Sequence, residues 1–179
     1  MNTTIDETAP VHEDGDALQA GFDFVICRPT PREEDAAAIR DFWRREKALD
    51  SDAAMDQRLP QVLMYARAAG GEVAGVCTAT AITPPRLGQP VYYWRTFVGA
   101  AWRSSQLVMA LLKRSCVLLE EDARAHDFPC IGVLLELENT RFSDAGRRAE
   151  WHNPRFAYIG KSERGLDLRV HYFRGARLK

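Results

Sequence analysis

The sequence is poor in the residues that build disulfides and metal sites. Its four cysteines, Cys27, Cys77, Cys116 and Cys130, lie in separate apolar runs, and no two of them form a Cys-x-x-Cys pair. Its four histidines are scattered, whereas zinc sites take their ligands from closely spaced Cys and His pairs. We therefore expect reduced, buried thiols, no bound metal, and an intracellular protein.

A strong net charge and a long apolar run are also missing. Lys and Arg number 24 against 25 Asp and Glu, so no overall field attracts nucleic acid or an anionic membrane. No apolar run is long enough to cross a bilayer, and the N-terminus lacks the basic-then-apolar order of a signal peptide. These absences predict a cytoplasmic protein that binds neither nucleic acid nor membrane.

What is present fits one globular domain after a short tail. The chain has 179 residues, of which 46% are hydrophobic and 27% charged, enough to bury a sizeable core. Residues 1–20 contain five acidic side chains and few large apolar ones, so we predict a disordered acidic tail there. Residues 21–179 are predicted to form the domain.

Apolar periodicity and turn residues predict the element order β, α, α, β, β, β, α, β, α, β, β. Thr30-Pro31-Arg32-Glu33 has the form of a capping box that opens the first helix. A third helix is predicted to end near His126, and a short fourth helix to cover residues 143–151. The predicted strands are FDFVIC, two runs flanking Ala-Gly-Gly-Glu, VYYWRTFV, IGVLLELEN, FAYIGK and DLRVHYF.

This order, together with three local sequences, resembles the GNAT superfamily of N-acetyltransferases over residues 22–174. The three are ICRPTPREEDAAAIRDF at the start, the hairpin GEVAG at 71–75, and Ala-Leu-Leu at 110–112 in the helix after VYYWRTFV. The resemblance implies an α/β (α+β) fold with a mixed, mostly antiparallel central sheet of six to seven strands. About four helices flank that sheet, which splays between strands four and five.

The resemblance also implies acetyl-coenzyme A, or another acyl-coenzyme A, as co-substrate and no metal. In the family, the pantetheine arm lies in the splay and pairs with the backbone of strand four, which implies Thr96, Phe97 and Val98 here. Asn139 stands where the family often has an asparagine that bonds pantetheine. The alternative for Asn139 is a turn-forming or helix-capping role.

The turn after strand four departs from the family pattern. That pattern, Arg/Gln-x-x-Gly-x-Gly/Ala, holds the pyrophosphate on backbone N–H groups, and this chain has Arg103, Ser104, Ser105, Gln106, Leu107 and Val108 in its place. Arg103 matches, but Gln106 and Val108 add side chains where the phosphate approaches. The helix dipole and the serine hydroxyls still favour an anion at this turn.

Acylation of an amine by a thioester needs a neutral amine, a route for its proton and donors for the oxyanion. The resemblance implies that Glu136 draws the proton from the ammonium group, often through water. Glu138 lies on the same strand face and is a second candidate. Paired carboxylates mildly favour a cationic acceptor. The alternative is that both carboxylates simply face solvent at the end of a strand.

The family's usual general acid, a tyrosine in a Tyr-x-x-x-Gly-Phe pattern, is replaced here by Trp151. An indole N–H donates a hydrogen bond but cannot reprotonate a thiolate near neutral pH. His152 could replace the tyrosine as general acid, because the ordinary pKa of histidine is near 6.5, although it is one residue out of register with that tyrosine. The alternative for His152 is a surface or capping role. Tyr92 and Tyr93 offer other hydroxyl groups, and one of them must face the cleft because neighbouring side chains alternate along a strand. We name Tyr93 as a candidate catalytic residue.

Three functions remain open from the sequence. The first is an N-acyltransferase that passes an acyl group from acyl-coenzyme A to an amine of a small molecule or peptide by direct attack. In the second, an acyl carrier protein is the donor and presents pantetheine without the adenine nucleotide. The third is a GNAT-fold binding or regulatory module without catalysis.

A basic cluster follows the predicted strand IGVLLELEN. Arg141, Arg147 and Arg148 could meet the adenosine phosphates or an acidic carrier protein, or form a solvated basic face. A homodimer is the default assembly.

Overall fold

A computed structural model describes residues 21–103, 106–138 and 148–178. These residues form one sheet of eight strands and three α-helices. The strands are β1 (Phe22–Ile26), β2 (Val62–Ala68), β3 (Val73–Ile82), β4 (Val91–Val98), β5 (Gly132–Leu137), β6 (Glu150–His152), β7 (Arg155–Lys161) and β8 (Asp167–Tyr172). The helices are α1 (Glu33–Arg45), α2 (Asp52–Arg58) and α3 (Leu107–Ala125).

The strand order across the sheet is β1, β2, β3, β4, β5, β8, β7, β6. Every neighbouring pair is antiparallel except β4 and β5, which are parallel and joined through α3. Their pairing covers Tyr92 with Val133 and Tyr93 with Leu134. Because β4 runs on to Val98 and β5 to Leu137, the two strands diverge beyond Tyr93. This divergence is the splay that the resemblance to the GNAT superfamily implies.

The helices bury opposite faces of the sheet. On one face, α3 packs Leu107, Leu111 and Leu119 against β4 and β5. On the other, α1 packs Ile39, Phe42 and Trp43 against β2 and β3, and the ring of Phe42 meets that of Phe97 edge-on at 6.0 Å. Helix α2 packs on the same face as α1, since its residue Met55 is part of the same hydrophobic cluster.

Two local predictions were wrong. Helix α1 begins at Glu33 without a side-chain cap, because Arg32 is extended (φ −65°, ψ 162°) and so keeps Thr30 and Pro31 outside the helix. Glu150–His152 is a strand rather than the end of a helix, since it pairs with β7 in a hairpin and the residue before Pro154 is disfavoured in the helical conformation. The sheet therefore has eight strands rather than six or seven. The predicted tail, 1–20, and residues 143–147 of the predicted fourth helix lie outside the described residues.

Candidate active site

The side chains of Tyr93 and Glu136 meet where β4 and β5 diverge. The Tyr93 hydroxyl donates to Glu136 Oε2 at 2.6 Å. Glu136 is two residues beyond Leu134, the partner of Tyr93 in the parallel ladder, and the period of two puts both side chains on the α1 face. Tyr92 faces α3 instead, where its hydroxyl lies 3.4 Å from Asp122 Oδ2. Of the two tyrosines, Tyr93 is therefore the one that contacts Glu136.

Glu136 is a largely buried, ionised carboxylate. Its side chain is 9% exposed, while that of Glu138 is 68% exposed. Burial by itself raises the pKa of Glu136, but hydrogen bonds from Ser162 and Tyr93 and the charge of Arg164 outweigh it, so the pKa lies below the ordinary 4.5. The solvent-facing alternative thus fits Glu138 and does not fit Glu136.

Arg164 links the two carboxylates. It lies in the turn between β7 and β8, and its Nη1 donates to Glu136 Oε2 at 3.2 Å and to Glu138 Oε1 at 2.8 Å. One guanidinium therefore partly neutralises both acids. The paired carboxylates no longer argue for a cationic acceptor, because their charge is already engaged within the protein.

Replacing Arg164 with Gln is expected to raise the pKa of Glu136, because the guanidinium favours the ionised form of this carboxyl group. A ¹³C NMR titration of the glutamate carboxyl groups would show the Glu136 midpoint moving upward. Arg155→Gln is the matched control, since Arg155 pairs with Glu150 on β6, and it should leave that midpoint in place. An unchanged midpoint in Arg164→Gln would contradict the assigned ion pair.

The same variant has a consequence for stability. A carboxyl pKa that is lowered in the folded state stabilises the protein above the unfolded value near 4.5, and this contribution is lost as the pH falls through the folded pKa. With Arg164 removed, the contribution of Glu136 shrinks at neutral pH. The variant and the wild type should therefore converge in stability at acidic pH.

Tyr93 is a protonated donor at neutral pH. Burial raises its pKa, the hydrogen bond to Glu136 raises it further, and Arg95 opposes the shift. The guanidinium of Arg95 lies 4.4 Å from the centre of the Tyr93 ring, in the range of a cation–π contact. The site thus places a neutral phenol next to an ionised carboxylate, one able to give a proton and the other able to take one.

The three residues predicted to meet pantetheine, Thr96, Phe97 and Val98, lie on β4 beyond Tyr93, and their main-chain groups do not all point the same way. Gly99 N donates to Ala74 O at 2.9 Å, so the Val98 carbonyl points away from β3, towards the divergence. Backbone direction alternates along a strand, which sends the main-chain groups of Thr96 the same way, while its side-chain hydroxyl donates to Val76 O of β3 at 3.2 Å. Those of Phe97 face Val76 of β3. Phe97 is therefore the part of this prediction that does not fit.

The turn before α3 is only partly described, since Ser104 and Ser105 lie outside the described residues, as does Asn139. Gln106 is exposed at the N-cap and makes no capping hydrogen bond with its side chain. Leu107 is buried in the core and Val108 half-buried against it, so both side chains turn inward. Arg103 folds back, with its Nε 3.3 Å from the Val98 carbonyl.

Two predicted residues are not brought to this site. His152 is exposed on β6, which is three strands away from β5 and so about 14 Å from it at ordinary strand spacing. Trp151 packs, with the guanidinium of Arg169 4.4 Å from its ring centre and the Phe156 ring at 6.1 Å. His152 does not contact Glu136, and Trp151 has a packing role.

The predicted basic cluster is only partly described. Its residue Arg148 is exposed, whereas Arg141 and Arg147 lie outside the described residues.

Four side chains near Tyr93 and Glu136 were missed by sequence reasoning: Arg58, Arg95, Ser162 and Arg164. Arg95 had a readable signal, because it is two residues from Tyr93 and so shares its strand face. The others come from α2 and from the turn between β7 and β8. Nothing in the local sequence indicates that these segments reach β5.

The thiols have no part in this site. All four cysteines are buried and unpaired, as expected, and burial raises the pKa of Cys27 and of Cys116 to about 12 and that of Cys77 to about 11. A buried neutral thiol is a poor nucleophile. Within the described part of the chain, no group of three or more His, Cys, Asp and Glu side chains is placed to hold a metal, and no helix is long and apolar enough to span a membrane.

Comparison with solved structures identifies the fold. The chain is similar to a GNAT-family acetyltransferase from Streptococcus pneumoniae, with 18% identity, a TM-score of 0.56, and 85% of this chain and 99% of that chain covered. It is also similar to the ribosomal-protein-S5-alanine acetyltransferase from Vibrio fischeri, with 10% identity, a TM-score of 0.58, and 88% and 96% covered. A ribosomal L7/L12 α-N-protein acetyltransferase matches with 12% identity, a TM-score of 0.55, and 87% and 92% covered.

No family model matches the sequence, and no curated protein matches it. At identities this low, likeness to solved structures establishes the fold. The chain has the GNAT fold, and the predicted fold class is confirmed.

Proposed function

We propose that this GNAT-fold protein transfers an acetyl or other acyl group from acyl-coenzyme A to an amine by direct attack. The observation that carries the proposal is the 2.6 Å hydrogen bond between Tyr93 and Glu136 at the divergence of β4 and β5. It joins a neutral phenol to an ionised carboxylate where the parallel strands β4 and β5 diverge. Acyl transfer to an amine needs an acid and a base so placed.

Glu136 and Tyr93 together account for every proton that moves in the reaction. The ammonium nitrogen gives up its first proton to solvent through Glu136, and the free amine attacks the thioester carbonyl. As the C–N bond forms, Glu136 takes the second proton. As the C–S bond breaks, Tyr93 gives its phenolic proton to the thiolate and recovers one from Glu136 across their hydrogen bond. Glu136 and Tyr93 end in their starting states.

Backbone groups around the divergence fit an acyl-coenzyme A. Thr96 and Val98 direct main-chain groups towards the gap, and the N-terminus of α3 places the positive end of a helix dipole nearby without a side-chain cap from Gln106. The Arg103 side chain donates a hydrogen bond to the Val98 carbonyl. We expect Arg103 to release this carbonyl when a pantetheine N–H donates to it instead. The exposed Gln106 in place of the family's glycine is the feature that favours a carrier-protein donor as the second candidate.

Direct transfer also agrees with the state of the cysteines. A covalent acyl-enzyme on cysteine would need a reactive thiolate, and burial raises the pKa of Cys27, Cys77 and Cys116 well above neutral pH. We therefore expect a ternary complex of donor and amine rather than a ping-pong mechanism.

The first experiment is a calorimetric titration with acetyl-coenzyme A and with pantetheine, followed by measurement of thiol release with a panel of amines. Saturable binding of acetyl-coenzyme A and amine-dependent thiol release are expected. Faster transfer from an acyl carrier protein than from the coenzyme A thioester would favour the second candidate. Donor binding without product from any amine would favour a non-catalytic module, and absence of donor binding and product would overturn the proposal.

Replacing Tyr93 with Phe is expected to lower kcat by about 10²-fold, the lower range for loss of a general acid, because the phenolic proton is no longer available to the thiolate. The KM for the donor should change little. Tyr92→Phe is the matched control, since the neighbouring hydroxyl lies on the opposite face of β4 near Asp122. Equal kcat values in the two variants would exclude Tyr93 as the acid.

A further inference from the structure

Two arginines approach the Tyr93 side of the site from different elements. Arg95 follows Tyr93 by two residues on β4, and its guanidinium lies 4.4 Å from the centre of the Tyr93 ring. Arg58 is the last residue of α2. The 3-10 turn Leu59–Gln61 then leads directly into Val62, the first residue of β2.

The strand register places Arg58 close to the row of residues that contains Arg95, and Arg95 level with Glu136. Val62 is paired with Thr78 of β3, and Thr78 with Arg95 of β4, so the three form one row across the sheet. Arg58 precedes that row by about one helical turn. Extending the ladder from Tyr93 and Leu134 by two residues on each strand brings Arg95 level with Glu136 across the divergence.

The charge of this arginine pair is not balanced within the described residues. Arg164 is the guanidinium that pairs with Glu136 and Glu138, and no described carboxylate forms an ion pair with Arg58 or Arg95. Arg58 is half-buried, and burial and the nearby charge of Arg95 both lower its pKa. Within the described part of the chain, Arg58 and Arg95 thus lie on the Tyr93 side of the site without a carboxylate partner. Such an arrangement favours an incoming anion.

We propose that Arg58 and Arg95 bind a carboxylate of the amine acceptor, so that the substrate is an amino acid or a similar zwitterion. This inference rests on the proposed function, acyl transfer to an amine, and names the class of amine that accepts the acyl group. A guanidinium fork matches the two oxygens of a carboxylate. With the carboxylate held on the Arg95 side, the amine of the same small molecule lies on the Glu136 side, where its proton must leave.

The kinetic test compares acids with their amides. The acceptors are the common L-amino acids and the corresponding amino acid amides, with acetyl-coenzyme A as donor. The wild type should use at least one acid with a kcat/KM about tenfold or more above its amide, the effect of one charged hydrogen-bonded pair. Arg58→Gln and Arg95→Gln should raise KM for the acid about tenfold or more and abolish the preference over the amide. Arg95→Lys should restore part of it.

Arg124→Gln is the matched control, since Arg124 is an exposed side chain on α3 paired with Glu120, and it should leave the preference for acids intact. Circular dichroism melting of each variant separates a folding defect from a loss of binding. Equal use of acids and amides by the wild type, or a preference for peptide amines without a nearby carboxylate, would overturn the inference while the proposed function stands.

A second measurement does not depend on transfer. The arginine Nε–Hε signals of the wild type would be followed by NMR during titration with L-alanine and with L-alaninamide, without donor. Saturable shifts of the Arg58 and Arg95 signals with L-alanine alone are expected. Identical responses to the two ligands, or none to either, would count against the carboxylate subsite. Saturable shifts without any acyl transfer would keep the subsite and reject the proposed function.

Discussion

Glu136→Gln is expected to lower kcat about 10²- to 10⁴-fold, the range for loss of a general base. The amide can still accept the hydrogen bond from Tyr93, which it receives at 2.6 Å in the native protein, but it cannot take a proton from the amine. The fold should therefore be retained while transfer is lost. The measurement is thiol release at saturating donor and acceptor, with thermal unfolding of both proteins recorded alongside.

Glu138→Gln provides the comparison for this experiment. Glu138 is two residues away on the same strand face, is mostly exposed, and also contacts Arg164. We expect its kcat to stay near the wild-type value. The protonation of Glu136 itself should not limit the wild-type rate above the ordinary glutamate pKa of 4.5, since the pKa of Glu136 is lowered. If Glu136→Gln kept the full rate at every pH, Glu136 would not be the base.

Gly132→Ala is expected to destabilise the fold by about 3 kcal/mol or more, at the upper end of the cost of overpacking. A Cβ at this position would lie 2.1 Å from the carbonyl oxygen of His171. That oxygen belongs to the backbone of β8, which pairs with β5 along its whole length, so neither strand can yield without breaking the ladder. The melting temperature should fall by roughly 6–12 °C at 2–4 °C per kcal/mol.

Gly165→Ala separates this clash from the general effect of replacing a glycine. Gly165 has φ +75°, and nothing lies within 4 Å of an added Cβ, so the cost there is the backbone strain of about 1–2 kcal/mol. Gly132→Ala should melt clearly below it and should also lose activity, since β5 carries Glu136. Similar melting temperatures for the two variants would show that β5 and β8 adjust to the clash.

Much of the fold could be predicted because local pattern determines local structure. VYYWRTFV combines aromatic and β-branched residues that favour a strand, and it forms β4 as predicted. The spacing of Leu107, Leu111 and Leu119 predicts the apolar side of α3, and these residues are buried against the sheet. Collinearity of such elements was sufficient to indicate the GNAT fold.

The predictions failed where short segments depend on distant partners. Glu150 and Trp151 are too few to show a period, and pairing with Ala157 and Phe156 of β7 makes them a strand. His152 was a candidate acid by its ordinary pKa, which carries no information about its position. The same hairpin places it on β6, the outermost strand beyond β7.

The sequence by itself determined which residue types could perform acid and base chemistry and which strands carry them, because composition and period are local properties. The tertiary structure alone decided that Tyr93, rather than Tyr92, contacts Glu136, which lies 43 positions further along the chain. It also decided that Arg164 pairs with both Glu136 and Glu138, and that no carboxylate of the described residues forms an ion pair with Arg58 or Arg95. Hydrogen bonds and ion pairs act over a few ångströms in space, and the strand order, β5 beside β8 and β4, sets which residues come that close.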